Sequence, residues 1–301
     1  MATVADLHRP AGSLVDGADP VALTPEDAGW GYCGLRVLAL SDGERRVVAT
    51  GPDEAVVLPL STIGLTVEAE GERFVLDGRL SVFARVTDFA YVGRDTTVTL
   101  TAEGGGEVAM ATARCATKRP PRYGPAEAVP VELRGAGQST RQVTNFFSPD
   151  VWSDAEELMC VEVLTPDGNW SSYPPHKHDD SAECPAQNEE IYYFRIGRAG
   201  ETDYAQDGFG LHRLYTVDGA IDETVEVRDG DVFLIPRGYH GPCGAAPGYT
   251  MYYLNVLAGP TPGRSMAFCD DPAHHWVRAT WEGMPVDPRC PMTSAEGVVR
   301  A

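Results

Sequence analysis

The sequence predicts an all-β protein made of two sandwich or barrel domains with few short helices. Short alternating apolar segments recur along the chain, each followed by a turn that contains Gly, Asp or Pro. The 301 residues include 32 glycines and 23 prolines, and helical periodicity is scarce. Hydrophobic residues make up 43% and charged residues 23% of the chain, which is enough apolar material for a sizeable core.

The first half carries one series of predicted strands, at residues 46–49, 55–58, 65–68, 71–76, 81–84, 97–100 and 107–110. A proline-rich segment, residues 118–125, then reads as a linker or covering loop. A short helix is predicted over residues 153–159, with Ser153 as its N-cap.

The second series of strands lies at residues 159–164, 191–194, 211–217, 231–235 and 249–256. We therefore predict two domains, residues 1–135 and residues 136–301. From residue 259 onward the chain is rich in Pro, Asp and Trp, which indicates a tail that wraps the second domain.

The charge, the apolar runs and the cysteines indicate which partners and which cellular compartment to expect. The formal net charge is −20, so a nucleic-acid partner is not expected, because phosphate backbones require clustered Lys and Arg. No apolar run approaches the roughly 20 residues of a membrane helix, and the first residues do not form a secretory signal. Seven scattered cysteines without a CxxC motif are typical of packing residues in a reducing cytoplasm.

Three of the seven histidines are spaced as metal ligands. His176 and His178 lie two residues apart, so on an extended strand both rings point to the same face. Glu190 follows twelve residues later at the start of a strand, and His240 lies at the end of the strand predicted at 231–235. Three imidazoles and a carboxylate suit a divalent Zn, Mn, Fe, Co or Ni ion, with zinc or manganese favoured.

These residues resemble the two sequence motifs of the cupin superfamily. The first motif corresponds to Gly168, His176, His178, Glu190 and Gly197, and the second to Gly230, Pro236, Gly238 and His240. The gap between His178 and Glu190 is longer than usual, which implies an inserted loop at 179–189. Glu183 and Glu189 are rival ligands in this segment, and the spacing to Gly197 favours Glu190.

Longer strings resemble the 5-deoxy-glucuronate isomerase family of inositol catabolism. They are PPHKHD at 174–179, EEIYYFR at 189–195, RDGDV at 228–232, PRGYH at 236–240, DDP at 270–272 with Trp276, and, in the first half, Trp30, YCGLRV at 32–37 and TDFAYV at 87–92. The resemblance implies a bicupin whose second barrel holds the metal ion and whose first barrel is structural.

The same resemblance implies a cytoplasmic, metal-dependent aldose–ketose isomerase. It would convert 5-deoxy-D-glucuronate into 5-dehydro-2-deoxy-D-gluconate and form a homo-oligomer. Its partner would be a small anionic sugar acid, with no role for nucleic acid or membrane. The alternatives are the related 4-deoxy-uronate isomerases of pectin breakdown, which share the fold and ligand set, and a cupin dioxygenase that uses iron and oxygen.

Four residues are candidates for substrate chemistry. Tyr192 shares the inner face with Glu190 by the two-residue period of a strand, and Tyr253 shares a face with Asn255 on a later strand. Tyr192 would donate or relay a proton, Tyr253 would line the pocket, and a hydride shift stays open as the second route. Arg213 and Arg237 are the candidates for binding the substrate carboxylate. Lys177, between two of the histidines, is a further alternative for the carboxylate, but it is expected to point outward.

Overall fold

The computed structural model describes residues 4–299, and in this range the chain forms an N-terminal arm and two β-barrels. The arm consists of helix α1 (Val4–Leu7) and strand β1 (His8–Arg9). The first barrel contains β2 (Val21–Leu23), α2 (Pro25–Ala28), β3 (Cys33–Leu40), β4 (Arg45–Ala49), β5 (Asp53–Pro59), β6 (Ile63–Ala69), β7 (Glu72–Gly78), β8 (Phe89–Val92), β9 (Thr97–Ala102), β10 (Gly106–Arg114) and β11 (Arg122–Gly124). Its two sheets have the strand orders β11-β8-β5-β10-β3-β2 and β4-β9-β6-β7.

The second barrel contains the remaining strands and one short helix. They are β12 (Val131–Arg134), β13 (Arg141–Phe147), β14 (Met159–Thr165), β15 (Trp170–Ser171), β16 (His176–Lys177), β17 (Glu189–Arg198), β18 (Phe209–Tyr215), β19 (Asp222–Arg228), β20 (Val232–Ile235), β21 (Tyr239–Ala245), β22 (Tyr249–Ala258), β23 (Cys269–Asp270) and α3 (Val277–Thr280). One sheet has the order β1-β20-β17-β22-β14-β13-β12, and the other has the order β19-β18-β21-β16-β23, with β15 paired to β21. The predicted all-β architecture with few short helices is confirmed.

Strand alternation in β17 explains how the two barrels share a core. Tyr192 and Phe194 point into the second barrel, where they pack with Phe233 and Tyr253. Ile191 and Tyr193 point to the opposite face and join the apolar layer between the barrels. Because both faces of this strand are buried, apolar residues do not alternate with polar ones along it. The string from Ile191 to Phe194 is therefore apolar throughout.

Buried arginines also connect the two barrels. Arg79 of the first barrel donates to the carboxylate of Glu162 on β14, and to the carbonyl oxygens of Pro59 at 2.9 Å and Arg85 at 3.2 Å. Tyr252 donates to the same Glu162 oxygen over 2.7 Å. Every guanidinium nitrogen of Arg79 therefore has an acceptor, which is the condition under which a buried ion pair is tolerated.

Three local predictions are wrong. Residues 81–84 form a turn, although Val82 is buried in the layer between the barrels. Residues 153–158 are not helical, because the amides of 156–158 donate to the buried carboxylate of Glu54 at 2.7–3.1 Å instead of joining a helix. The predicted linker at 118–125 contains β11, which pairs with β8.

The predicted division at residue 135 falls directly after β12. β12 already pairs with β13 of the second barrel, and β1 at the other end of the chain pairs with β20. His8 fastens this arm, because its Nε2 lies 2.7 Å from the Asp231 carboxylate. The tail contacts both barrels, through hydrogen bonds from Val86 to Ser294 and from the amide of Thr293 to the side chain of Gln142.

The prediction that most of the cysteines are packing residues agrees with five of the seven, and two form a disulfide. Cys184 and Cys269 form a disulfide across 85 residues, a separation that hides the pairing from sequence reasoning. The other five cysteines are free and buried. Among the described residues, none of the helices has the length and apolar character needed to cross a membrane.

Candidate metal centre and its cavity

The candidate ligands come from three neighbouring strands of the second barrel. β16 pairs with β21 so that His176 lies directly opposite His240, and His178 follows β16 immediately. Glu190 is the second residue of β17, on the same inward face as Tyr192. His240 was predicted at the end of the strand over 231–235, but it lies in β21, after the turn at 236–238.

The structure brings all four candidate ligands together. The ligand atoms of His176, His178 and His240 lie within 4.8 Å of one another. Glu190 Oε2 is 3.0 Å from Nε2 of His178 and 3.0 Å from Nε2 of His240. Within residues 4–299, neither Glu190 Oε2 nor His240 Nε2 has a hydrogen-bond partner, although both are buried. Buried polar atoms are nearly always satisfied, so these convergent donors fit a metal ion.

Hydrogen bonds orient two of the three imidazoles for metal binding, those of His176 and His240. Nδ1 of His176 lies 3.3 Å from the carbonyl oxygen of Pro174, and Nδ1 of His240 lies 3.5 Å from that of Gly238. A proton on each Nδ1 leaves the Nε2 lone pair free for a cation. Burial, and then His240 and His178, lower the pKa of His176 well below its usual value, so that its ring is neutral and able to coordinate.

Glu190 is held as a carboxylate. Burial alone would raise its pKa, but His240 and His178 outweigh that effect and place the pKa below the usual range. Its second oxygen, Oε1, accepts a hydrogen bond of 2.8 Å from Nδ2 of Asn255 on β22. Since an ionised oxygen ligand is required for a divalent cation, both features favour metal binding.

Tyr192 and Tyr253 lie beside the ligand group and contact each other. Their rings stack with centroids 4.6 Å apart, and both hydroxyls approach the Ser172 hydroxyl, at 2.9 Å and 3.1 Å. Burial raises the pKa of both phenols above the usual value, and Glu190 adds to the shift for Tyr192. The phenols therefore stay protonated near neutral pH and can act as hydrogen donors.

The rival ligands Glu183 and Glu189 have other partners. Glu189 accepts the backbone amides of residues 31–33 at 2.7–3.0 Å, which ties β17 to the first barrel. Glu183 is exposed in the inserted loop and pairs with Lys177 over 2.8 Å. Lys177 points away from the ligand group and lies buried beneath that loop.

An open cavity of about 860 Å³ leads to the ligand group. Three of the four candidate ligands line it, together with both tyrosines, Asn255 and four arginines. These residues are His176, His178, Glu190, Tyr192, Tyr253, Asn255, Arg134, Arg141, Arg264 and Arg278.

The predicted carboxylate-binding arginines are not brought to this cavity. Arg213 is 40% exposed and pairs with Asp222 over 2.9 Å, and Arg237 pairs with Asp218 on the surface. Neither lines the cavity wall, so these contacts do not favour either residue as a substrate clamp. Arg141 and Arg278, which do line it, were missed, because neither lies within the ligand motifs.

Comparison with known proteins agrees with this geometry. The model of the KduI/IolB family matches residues 8–277. The 5-deoxy-glucuronate isomerase of Geobacillus kaustophilus (strain HTA426) is 40% identical over 271 residues, which cover 89% of this chain and 94% of the relative. The chain belongs to the KduI/IolB family. The 5-deoxy-glucuronate isomerase of Bacillus subtilis (strain 168) is also similar, with 38% identity over 82% of this chain and 88% of the relative.

Solved structures support the same placement within the KduI/IolB family. An IolB-like protein from Salmonella typhimurium LT2 has a TM-score of 0.81 and 32% identity, and the match covers 90% of this chain and 98% of that one. An oxalate decarboxylase from Lactobacillus farciminis has a TM-score of 0.60 at 12% identity, with 90% of each chain covered, which is a likeness of fold. The predicted bicupin fold is confirmed, and the predicted enzyme class, an isomerase of the aldose–ketose type, is confirmed by the family.

Asn255 provides a test of how the carboxylate ligand is held. Loss of a hydrogen bond to a ligand typically costs about 10- to 100-fold in metal affinity, so we expect a weakening of that size in Asn255→Ala. Competition with a chromophoric chelator measures it. Asn145→Ala is the matched control, because Asn145 also lines the cavity but donates to Glu132 at 3.1 Å. Equal metal affinity in wild type and Asn255→Ala would contradict the role of Asn255 in holding the Glu190 carboxylate.

Proposed function

We propose that this protein is a metal-dependent isomerase that converts 5-deoxy-D-glucuronate into 5-dehydro-2-deoxy-D-gluconate in cytoplasmic inositol catabolism. The observation that carries the proposal is the convergence of three imidazoles and one carboxylate, of which His176, His178 and Glu190 line an open cavity. The name shared by the Geobacillus and Bacillus relatives supplies the substrate.

The donor set matches a divalent cation of the first transition row. His176, His178, His240 and Glu190 would hold it, and the ordered Nδ1 contacts and Asn255 would keep the donors in place. Such an ion polarises a sugar carbonyl and makes the hydrogen on the neighbouring carbon more acidic.

The chain's own side chains would direct the proton. The hydroxyls of Tyr192 and Tyr253 stay protonated and share Ser172, so either phenol can donate a hydrogen bond to a sugar oxygen on which negative charge develops. Phe194 and the stacked phenol rings exclude water from the inner end of the site. The two phenols would therefore act as donors and not as the base that removes the hydrogen from carbon.

The proposal is tested with protein stripped of metal and then loaded with single Zn, Mn, Fe, Co or Ni ions. We expect stripped protein to turn over 5-deoxy-D-glucuronate about a thousandfold more slowly, and at least one ion to restore ketose formation followed by NMR. Stripped protein that keeps full activity would contradict metal dependence.

A second candidate substrate is a 4-deoxy uronate, as in pectin breakdown, because the matching family model covers both KduI and IolB proteins. The same loaded samples decide between them. Turnover of the 4-deoxy uronate but not of 5-deoxy-D-glucuronate would show that the 4-deoxy uronate is the substrate. Oxygen uptake without isomerisation would instead favour a cupin dioxygenase.

A further inference from the structure

Arg141 is a buried cation at the wall of the cavity. It is the first residue of β13, and it is only 7% exposed. Its Nη1 donates to the carbonyl oxygen of Ser139 at 3.2 Å, and its guanidinium lies 5.9 Å from the ring centroid of Trp281. Among residues 4–299, no carboxylate lies within ion-pair distance of it.

The other three arginines at the wall are engaged by neighbouring groups. Arg134 pairs with Glu132 over 2.8 Å. Arg278 forms a two-pronged pair with Asp270, at 2.5 Å and 2.7 Å. Arg264 donates to three backbone carbonyl oxygens, those of 147, 152 and 158. Arg141 therefore differs from these three arginines: among residues 4–299 its guanidinium makes one hydrogen bond, to the carbonyl oxygen of Ser139, and pairs with no carboxylate.

The charge of Arg141 persists at neutral pH. Burial lowers the pKa of Arg141 to about 10, and Arg134 and Arg278 contribute in the same direction. A chain of net charge −20 thus keeps a local group of cations at this wall. Holding a charged group away from water without a partner is costly, so an anion supplied from outside the chain is the natural counterion.

Arg141 and the candidate metal ligands face one cavity. Arg141 lines it together with Tyr253, whose hydroxyl approaches Ser172 at 3.1 Å. Ser172 in turn approaches Tyr192, whose ring centroid lies 5.9 Å from that of His240. The same cavity therefore has the candidate metal ligands on one part of its wall and Arg141 on another.

We propose that Arg141 binds the carboxylate of the sugar acid while the carbonyl end of the sugar faces the ligand group. The inference rests on the proposed function for the position of the carbonyl. A guanidinium presents paired N–H donors that match a carboxylate in two-pronged geometry, and a lysine ammonium does not. Arg141 takes over the role that sequence reasoning assigned to Arg213 or Arg237.

The decisive experiment measures binding rather than turnover. D-Glucuronate and D-glucose differ in the carboxylate, and calorimetric titration of each into the metal-loaded protein isolates its contribution. We expect wild type to bind glucuronate at least about tenfold more tightly, and Arg141→Met to lose that preference. Arg141→Lys should recover it in part. Arg213→Met, which removes an exposed arginine outside the cavity, should keep it.

Two further readouts separate recognition from a structural role. Metal content should be unchanged and the thermal midpoint should change little in Arg141→Met, because removal of an unpaired buried charge offsets the lost contacts with Ser139 and Trp281. If 5-deoxy-D-glucuronate is turned over, its kcat/KM should fall about a hundredfold or more in Arg141→Met. Retained preference in Arg141→Met, or no preference in wild type, would overturn the proposal whether or not the protein isomerises 5-deoxy-D-glucuronate.

Discussion

His240→Ala is expected to abolish stoichiometric binding of a divalent metal ion and to reduce kcat/KM for the isomerisation by about a thousandfold or more. His240 is 1% exposed, and its Nε2 lies at an ion-pair distance of 3.0 Å from Glu190 Oε2. This nitrogen nevertheless makes no hydrogen bond with any described residue. Loss of the ligand leaves three donors, and the several kcal/mol of charge stabilisation that a metal ion supplies is lost with it. Elemental analysis after dialysis and the NMR assay measure the two effects.

The matched control for this prediction is His274→Ala. His274 lies outside the cavity wall and outside the ligand group, so its removal should leave metal content and turnover at the wild-type level. Circular dichroism would check that His240→Ala is folded, since its ring fills space beside Tyr192. A folded His240→Ala protein with a full equivalent of tightly bound metal would show that the ligands are elsewhere.

Local spacing made the cluster of candidate metal ligands predictable. His176 and His178 are two residues apart, and the string that carries Glu190 continues directly into a buried strand, so a period of two places their side chains on known faces. The turn between residues 235 and 239 displaced His240 from the end of one strand to the start of the next. His240 nevertheless lies directly opposite His176, because β16 and β21 pair in that register.

The substrate-facing arginine was not predictable by the same reasoning. Arg141 lies 35 residues before His176 on a strand with no motif, and it reaches the cavity only because β13, β14 and β22 are neighbours in one sheet. Arg213 and Arg237 were predicted from their positions in the sequence, yet each is paired with a surface aspartate.

Contacts between residues far apart in the sequence also explain two other features that the sequence did not predict. The residues at 153–158 had a helical N-cap signal, but Glu54, about a hundred residues earlier, takes up their amides. The disulfide between Cys184 and Cys269 likewise depends on the pairing of β16 with β23, which no local pattern reveals. In each case the deciding contact is tertiary, so propensity and spacing carry no signal of it.

The contact between the barrels yields a prediction of comparable size for stability. Arg79→Met is expected to reduce the free energy of unfolding by about 3–5 kcal/mol, because it leaves the Glu162 carboxylate buried with only Tyr252 as its donor. Arg79 is 1% exposed, and it also satisfies the carbonyl oxygens of Pro59 and Arg85. Equilibrium denaturation in urea measures the change.

Two variants separate loss of the partner from loss of charge as such. Arg79→Met/Glu162→Gln removes both charges and keeps an acceptor for Tyr252, so it should recover at least about half of the lost stability. Arg73→Met breaks an exposed ion pair with Glu68, at 4.0 Å, and should change stability by less than about 1 kcal/mol. If the double variant were as unstable as Arg79→Met, the unpaired carboxylate would not be the cause, and the lost bonds to the carbonyl oxygens would account for the effect instead.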